Sequence, residues 1–361
     1  MKRKRWLSGS AYSIRLPKGC VHCSRGGKLV LLVTGKCTAG CFYCPLSEGK
    51  KGKAVIYADE LKVREVGDIL EEAALIGATG TGVTGGDPLL RPSETAGLIA
   101  LLKGEFGERH HVHLYTGSAD IRAIKTVAKS GLDEIRFHPP VSAWGRIAES
   151  GFNEAVVASE DMGMDVGFEI PAIPGTEAET RDLMEVAARL EMSFVNLNEL
   201  EFSETNWKEL RRRGFEGKGD ISSAVKGSER MALRLVADSP DGLPVHYCSS
   251  SFKDAIQLRR RIMRRGRRTK RSFDIITKDG TRLFGIIESD DPAATAGSIH
   301  DRFGIPKLLM EANEAAHRVE IAPWLLADIA TDMEERMFVI EEYPTADRLE
   351  VEREPVAIKR R

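Results

Sequence analysis

The 361-residue chain has no apolar run near the eighteen or so residues that cross a membrane. It also has no large charge excess of either sign. With 53 Lys plus Arg against 54 Asp plus Glu, it is neither a uniformly basic nucleic-acid coat nor an acidic tail, so any charged partner must be met by a local patch. At 42% hydrophobic and 30% charged residues, disorder and collagen-like repeats are excluded. The opening Met1-Lys2-Arg3-Lys4-Arg5-Trp6 is basic but lacks the apolar stretch and small-residue cleavage site of a secretory signal. We expect a cytoplasmic protein with no membrane partner, holding two domains or one α/β barrel with an appendage.

Cysteine is scarce but concentrated. Of six, at positions 20, 23, 37, 41, 44 and 248, five fall within 25 residues. In a cytosolic chain of this size that clustering points to metal or redox chemistry rather than disulfides.

Seven short β-rich runs alternate with helical patterns, which is the signature of a parallel sheet built from crossover units. They are Leu29–Thr34, Thr81–Thr84, His111–Tyr115, Glu134–His138, Asp165–Ile170, Phe194–Asn198 and Val245–Cys248. Helices are expected at Asp59–Ile76, Ser93–Leu102, Asp120–Lys129, Asn153–Met162 and Glu177–Leu190. Strand side chains alternate between faces. Val112 and Leu114 therefore oppose His111, His113 and Tyr115, and Ile135 and Phe137 oppose Glu134, Arg136 and His138. Val195 and Leu197 oppose Asn196 and Asn198, and Val245 and Tyr247 oppose His246 and Cys248. With helices on the apolar face, the polar face must be covered or enclose something, as in a barrel with a functional lumen. An antiparallel sheet with one wet face is the plainer alternative. Beyond Cys248 we expect one more helix, Phe252 to about Arg265, then a small α+β domain. That domain would hold a hairpin over Ser272–Glu288 around Asp279-Gly280 and a last strand at Met337–Tyr343. The expected divisions are a basic N-terminal segment with a CxxC pair (1–27), the barrel core (28–268) and the accessory domain (269–361).

The first strand runs into Gly35-Lys36-Cys37-Thr38-Ala39-Gly40-Cys41-Phe42-Tyr43-Cys44-Pro45. Three thiolates on one short loop can hold three irons of a cubane cluster and leave a fourth open. A structural zinc site would want four ligands, usually in two pairs. Cys37, Cys41 and Cys44, with aromatic Tyr43 before the last, resemble the cluster motif of the radical S-adenosylmethionine (SAM) enzymes. Thr84-Gly85-Gly86-Asp87 ends the second strand and is similar to that family's glycine-glycine-acid element, although the acid there is more often Glu.

The resemblance implies a partial (β/α) barrel of radical SAM type, a [4Fe-4S] cluster on Cys37, Cys41 and Cys44, and reductive cleavage of SAM to a 5′-deoxyadenosyl radical that abstracts a substrate hydrogen. The enzyme would be an oxidoreductase or transferase. Gly85, Gly86 and Asp87 would hold the methionyl amino group, Tyr43 would contact the adenine, and Glu169 and Asn196 would make polar SAM contacts. A flavodoxin- or ferredoxin-type protein would donate the electron. His138 would face substrate or be a satisfied interior histidine. Most of the chain resembles a largely archaeal group related to the pyruvate formate-lyase activating enzyme, the cluster loop and the glycine element being its specific marks.

Two further features lie outside the cluster loop and the glycine element. Cys20 and Cys23 form a CxxC pair before the barrel, and Cys248 ends the seventh strand with inward parity. Three thiolates would suit an auxiliary iron–sulfur cluster with one open iron, resembling the arrangement in some radical SAM enzymes; His246 could complete a zinc site instead, and free buried cysteines are the third option. From Arg259 to Arg271, nine of thirteen positions are basic and none is acidic. Arg259, Arg260, Arg264, Arg267, Arg268 and Arg271 are candidate phosphate contacts, which suggests RNA and therefore tRNA modification. The plainer reading is a solvated helix neutralised by acids such as Glu341 and Glu342. Modification of a protein or small metabolite, and a non-catalytic metal-binding scaffold, are the alternative functions.

Overall fold

The computed structural model describes residues 4–219 and 222–356, in two compact units, 1–258 and 259–361. The first is built on seven parallel strands, β1 (Lys28–Thr34), β2 (Gly80–Gly85), β3 (His111–Thr116), β4 (Glu134–Phe137), β5 (Asp165–Ala172), β6 (Phe194–Glu199) and β7 (Val245–Cys248). Each pairs with the next in sequence, so the order across the sheet is simply β7-β6-β5-β4-β3-β2-β1. Antiparallel additions extend both edges, Ala11–Tyr12 on β7 and Tyr57–Ala58 on β1. The outermost short strands, Lys4–Arg5 and Leu61–Lys62, do not meet, so the barrel is open.

The expected alternation holds. Val112, Leu114, Ile135, Val166, Val195 and Leu197 are fully buried on the helix-covered face, each stabilising the fold by about 1.5–3 kcal/mol over exposure. The covering helices include α2 (Val66–Ile76), α3 (Pro92–Phe106), α4 (Ile121–Ala128), α5 (Phe152–Asp161), α6 (Glu177–Arg189) and α7 (Ser228–Ala237). Helix α2 begins seven residues later than expected. Asp59, at φ +53°, turns the chain between the two-residue strands Tyr57–Ala58 and Leu61–Lys62, and a reciprocal Glu65/Asp68 capping box then starts the helix.

The polar face is covered as well as hollow. A helix unforeseen in the sequence, α1 (Lys18–Ser24), lies against it. The Gly19 amide donates to Glu134 Oε2 at 3.2 Å. A Cβ at Gly19 would stand 2.6 Å from Arg136 Nη2 and 2.8 Å from His113 Nδ1, so only glycine permits this approach. The helix presents Cys20 and Cys23, one turn apart, on its buried side.

The second unit is a six-stranded antiparallel sheet. β8 (Arg282–Glu288) lies at its centre, flanked by β10 (Arg318–Ile321) and β11 (Met337–Glu342), with β9 (Met310–Asn313) beyond β10 and β12 (Glu350–Pro355) beyond β11. Ile275–Ile276 pairs with β8 to make the expected hairpin, and β12 is an addition. Helices α8 (Arg259–Thr269) and α9 (Pro292–Phe303) belong to this unit. Its core gathers Ile287, Ile299, Val319 and Ile321. No helix among the described residues is long and apolar enough to cross a membrane.

Candidate active site

The loop after β1 carries Cys37 exposed and Cys41 and Cys44 half-buried. All three line one cavity of about 670 Å³ at the C-terminal ends of the strands, together with Gly85, Gly86 and Tyr43. Burial raises the Cys41 thiol pKa, and the neighbouring Cys37 and Cys44 add to it. The loop is irregular and held from outside. Thr205 Oγ1 donates to the carbonyls of Cys44 (3.1 Å) and Leu46 (2.7 Å), and Asn206 Nδ2 donates to the carbonyl of Tyr43 (3.0 Å). The amide of Gly52 reaches the Gly35 carbonyl at 2.8 Å.

The glycine element has a packing reason that the sequence did not suggest. The Gly86 amide donates to the Thr34 carbonyl (2.6 Å) and the Asp87 amide to the Lys36 carbonyl (2.8 Å), tying the end of β2 to the root of the cysteine loop. A Cβ on Gly86 would fall 2.1 Å from Lys36 O, and Gly85 has φ +155°. Asp87 itself does not line the cavity, and its carboxylate oxygens accept from Thr116 Oγ1 (2.8 Å), Leu89 N (3.0 Å) and Gly117 N (3.1 Å). Burial pushes this carboxyl above its ordinary range against those hydrogen bonds. Gly85 and Gly86 line the cavity, and Asp87 stands behind them.

Deeper in the lumen, Tyr43 Oη bonds His138 Nε2 (2.9 Å), and His138 Nδ1 meets the Glu169 carbonyl oxygen (2.6 Å). With its partner a carbonyl, Nδ1 is the donor, so Nε2 of a neutral ring accepts from the tyrosine. Glu169 pairs with Arg136 (2.5 Å), which also pairs with Glu134. Burial opposes the Glu169 charge, but Arg136 and the Asn198 amide (2.8 Å) hold its carboxyl below the usual range. Asn196 is elsewhere. Its Oδ1 accepts from His246 Nδ1 at 2.5 Å, and the residue does not line the cavity, while Asn198 does. Both share one strand face, but Asn198 lies nearer the C-terminal end, where parallel sheets present their sites. Sequence reasoning also missed Lys253 and Glu201, an ion pair (3.0 Å) at the cavity's rim. Lys253 opens a π-helical turn, Lys253–Leu258, a feature frequent at functional sites.

The remaining expected residues fall outside the cavity. Cys20, Cys23 and Cys248 are buried and do not line it. Among the described residues no three His, Cys, Asp or Glu are grouped to hold a single metal ion, and His246 faces Asn196, so the expected zinc arrangement is not assembled. Arg271 is a structural cation. It pairs with Asp274 (2.9 Å), Glu311 (3.2 Å) and Glu320 and lies over the Phe273 ring at 4.4 Å. Arg259 reaches the Lys278 carbonyl at 2.6 Å. Arg264 is half-buried, and Arg260, Arg267 and Arg268 are exposed. Glu342 pairs with Arg282, Arg318 and Arg348.

Residues 31–140 match the model of the radical SAM superfamily, and 280–356 match a domain of unknown function, DUF8061. A protein of Methanocaldococcus jannaschii, provisionally named a glycyl-radical enzyme activating enzyme, is 39% identical over 365 residues, covering 96% of this chain and 94% of that one. The chain belongs to the radical SAM superfamily. Fainter likenesses include methylornithine synthase (16% identity, 62% of this chain and 71% of that one, TM-score 0.41). Streptococcus suis SuiB bound to S-adenosylmethionine is similar at 12% identity, 63% and 51% coverage and TM-score 0.42. This radical SAM chain is accordingly an enzyme whose cofactors are a [4Fe-4S] cluster and SAM. The cavity fits them: three soft donors stand on one loop at its wall, beside a glycine-lined strand end and a tyrosine.

Proposed function

We propose that Cys37, Cys41 and Cys44 hold the [4Fe-4S] cluster and that the chain uses SAM to abstract a hydrogen atom from a partner polypeptide. One observation carries the site: the three thiols, Gly85 and Gly86 share the wall of a single cavity. When bound, the cluster and SAM supply one chemistry, in which an electron from a flavodoxin- or ferredoxin-type donor splits the sulfonium, leaving methionine and an adenosyl carbon that takes a hydrogen atom from substrate. The protein's part is placement. Gly85 and Gly86 open backbone groups to the methionyl end of SAM, Tyr43 offers a ring to the adenine, and His138 fixes that ring through its hydroxyl. Glu169, braced by Arg136 and Asn198, turns a fixed negative charge toward SAM or substrate.

The choice of a polypeptide rests on the relative that shares 39% identity and is named for activating another enzyme. Anaerobic reconstitution with SAM and dithionite should yield 5′-deoxyadenosine, and C37A, C41A and C44A should each abolish it. Full turnover by any of the three would overturn the ligand assignment. In extract from cells carrying the gene, a protein band should gain a radical signal or altered mass.

A second reading, tRNA modification, is favoured by the exposed Arg260, Arg267 and Arg268. It requires tRNA affinity that falls steeply between about 50 and 200 mM salt and weakens when these arginines become alanine. Salt-independent affinity, or a tRNA nucleoside profile unchanged by loss of the gene, would remove it.

A further inference from the structure

The loop that carries Cys37, Cys41 and Cys44 is braced from outside by two segments, and both are basic. The first is the turn 47–53, which folds back on the root of the loop, where the Gly35 amide donates to the Lys53 carbonyl (2.9 Å). The second, 204–213, contains the short helix Trp207–Arg212. It holds the loop through the hydrogen bonds of Thr205 and Asn206 and through Arg213, whose guanidinium lies 4.1 Å from the centre of the Phe42 ring.

Residues 36–53 and 204–213 together carry eight Lys and Arg against three acids, Glu48, Glu204 and Glu209, in a chain whose net charge is −1. Lys36, Lys51, Lys53, Lys208, Arg211 and Arg212 are exposed. Glu209 is shared between Arg212 (2.7 Å) and Arg213 (2.8 Å), so one carboxylate there meets two guanidiniums. Like charges gathered this densely repel one another, a cost that an anionic partner removes. Beside Lys208, Trp207 stands 49% exposed, a large aromatic of the kind that anchors protein interfaces.

We propose that this basic rim, Lys36, Lys53, Lys208, Arg211 and Arg212 around Trp207, is the docking surface for a small acidic electron-carrier protein. The role presupposes the cluster on Cys37, Cys41 and Cys44 of the proposed function. A carrier seated on the rim is brought beside the exposed Cys37. One electron then leaves the carrier, which is oxidised, for the cluster, and ends in the sulfonium bond that breaks; no atom crosses the interface. Such an encounter needs closeness and steering by charge rather than a large contact, and redox complexes bury less than about 1,200 Å². A nucleic acid fits less well, because it would have to enter the cavity, where the positive charge does not continue. Glu199 and Glu201 line the β6 side of that cavity against Lys253. An electron carrier needs only the outer face.

The test uses the full-length, anaerobically reconstituted chain and an acidic flavodoxin or ferredoxin as the probe. K53E/K208E/R212E reverses three charges of the rim, and none of these side chains lines the cavity. Titration of the wild type with the oxidised carrier should give a Kd that weakens between about 50 and 200 mM salt. The triple variant should bind about tenfold or more weakly, with a flatter salt dependence, and R267E/R268E, in the second unit, should bind as the wild type does. With limiting reduced carrier, the triple variant should form 5′-deoxyadenosine correspondingly more slowly, and with dithionite at the wild-type rate. An unchanged Kd, or equal slowing with carrier and dithionite, would overturn the proposal. So would loss of tRNA affinity with carrier affinity intact, which would give the rim to a nucleic acid. Failure of the wild type to cleave SAM under dithionite would instead overturn the proposed function, and the carrier titration would still read the surface.

Discussion

Asn206 donates its side-chain amide to the carbonyl of Tyr43, 163 positions earlier in the chain and 3.0 Å away. The same amide nitrogen reaches the Glu201 carbonyl at 3.0 Å, and Asn206 Oδ1 accepts from the Ser203 amide at 2.8 Å. A turn after β6 thereby fixes the loop that follows β1, and with it the spacing of Cys41 and Cys44. Asn206→Ala leaves these groups unpaired in a buried place, at a cost of about 1–3 kcal/mol. We expect a lower urea midpoint, poorer iron loading and a broadened cluster EPR signal. Unchanged loading and line shape would show that the loop holds its form alone.

Gly86→Ala should be more damaging. The new methyl would fall 2.1 Å from the Lys36 carbonyl oxygen, which forces β2 away from the cysteine loop. Loss of iron from the loop and of SAM cleavage is the expected result, whereas Gly97→Ala, on helix α3 with open space around it, should change neither.

Glu169→Gln removes one of the two carboxylates paired with buried Arg136. With Glu134 still in place, the cost should lie near the lower end of about 3–5 kcal/mol. Because its folded pKa is depressed, Glu169 stabilises the fold above the unfolded value near 4.3 and ceases to do so as pH falls through the folded value. The variant should therefore show a shallower loss of stability at acid pH, measured as the urea midpoint between about pH 5 and pH 3.

Histidine titration should act earlier in an acid series. Burial holds His22 and His110 down to about 4. His111 also lowers His22, and Lys103 also lowers His110. An unfolded histidine takes its proton near 6.5, so these groups favour the fold above that pH and progressively less as it falls toward 4. His110→Gln should flatten this part of the profile. A parallel curve would mean that the buried imidazole is not the sensor.

Much of this was legible because the relevant physics is local. Alternation in His111–Tyr115 and Val245–Cys248 gave the sheet and the polar lumen, and the spacing of Cys37, Cys41 and Cys44 pointed to the cofactor. What escaped depends on contacts made across the chain. Helix α1 is too short to show amphipathic periodicity, and only the pocket over Glu134 and Arg136 reveals why Gly19 is there. Asn196 and Asn198 have the same parity, so depth along β6 had to separate them. Arg271 belonged to a basic run by sequence, but Asp274 and Glu320 claim it in space.

Ser10 and Ser13 dock on β7 and the segment after it, through Ser10 Oγ to Ser249 (3.1 Å) and the Ser13 amide to the Val245 carbonyl (2.9 Å). The lid of the lumen thus precedes all seven parallel strands in sequence, and its latch is made near residue 249. On a ribosome the lid would emerge before the sheet it covers and wait, uncommitted, through more than two hundred residues of synthesis. Such long-range closure slows folding, and it leaves an interval in which the lumen stands open while its last wall is still missing.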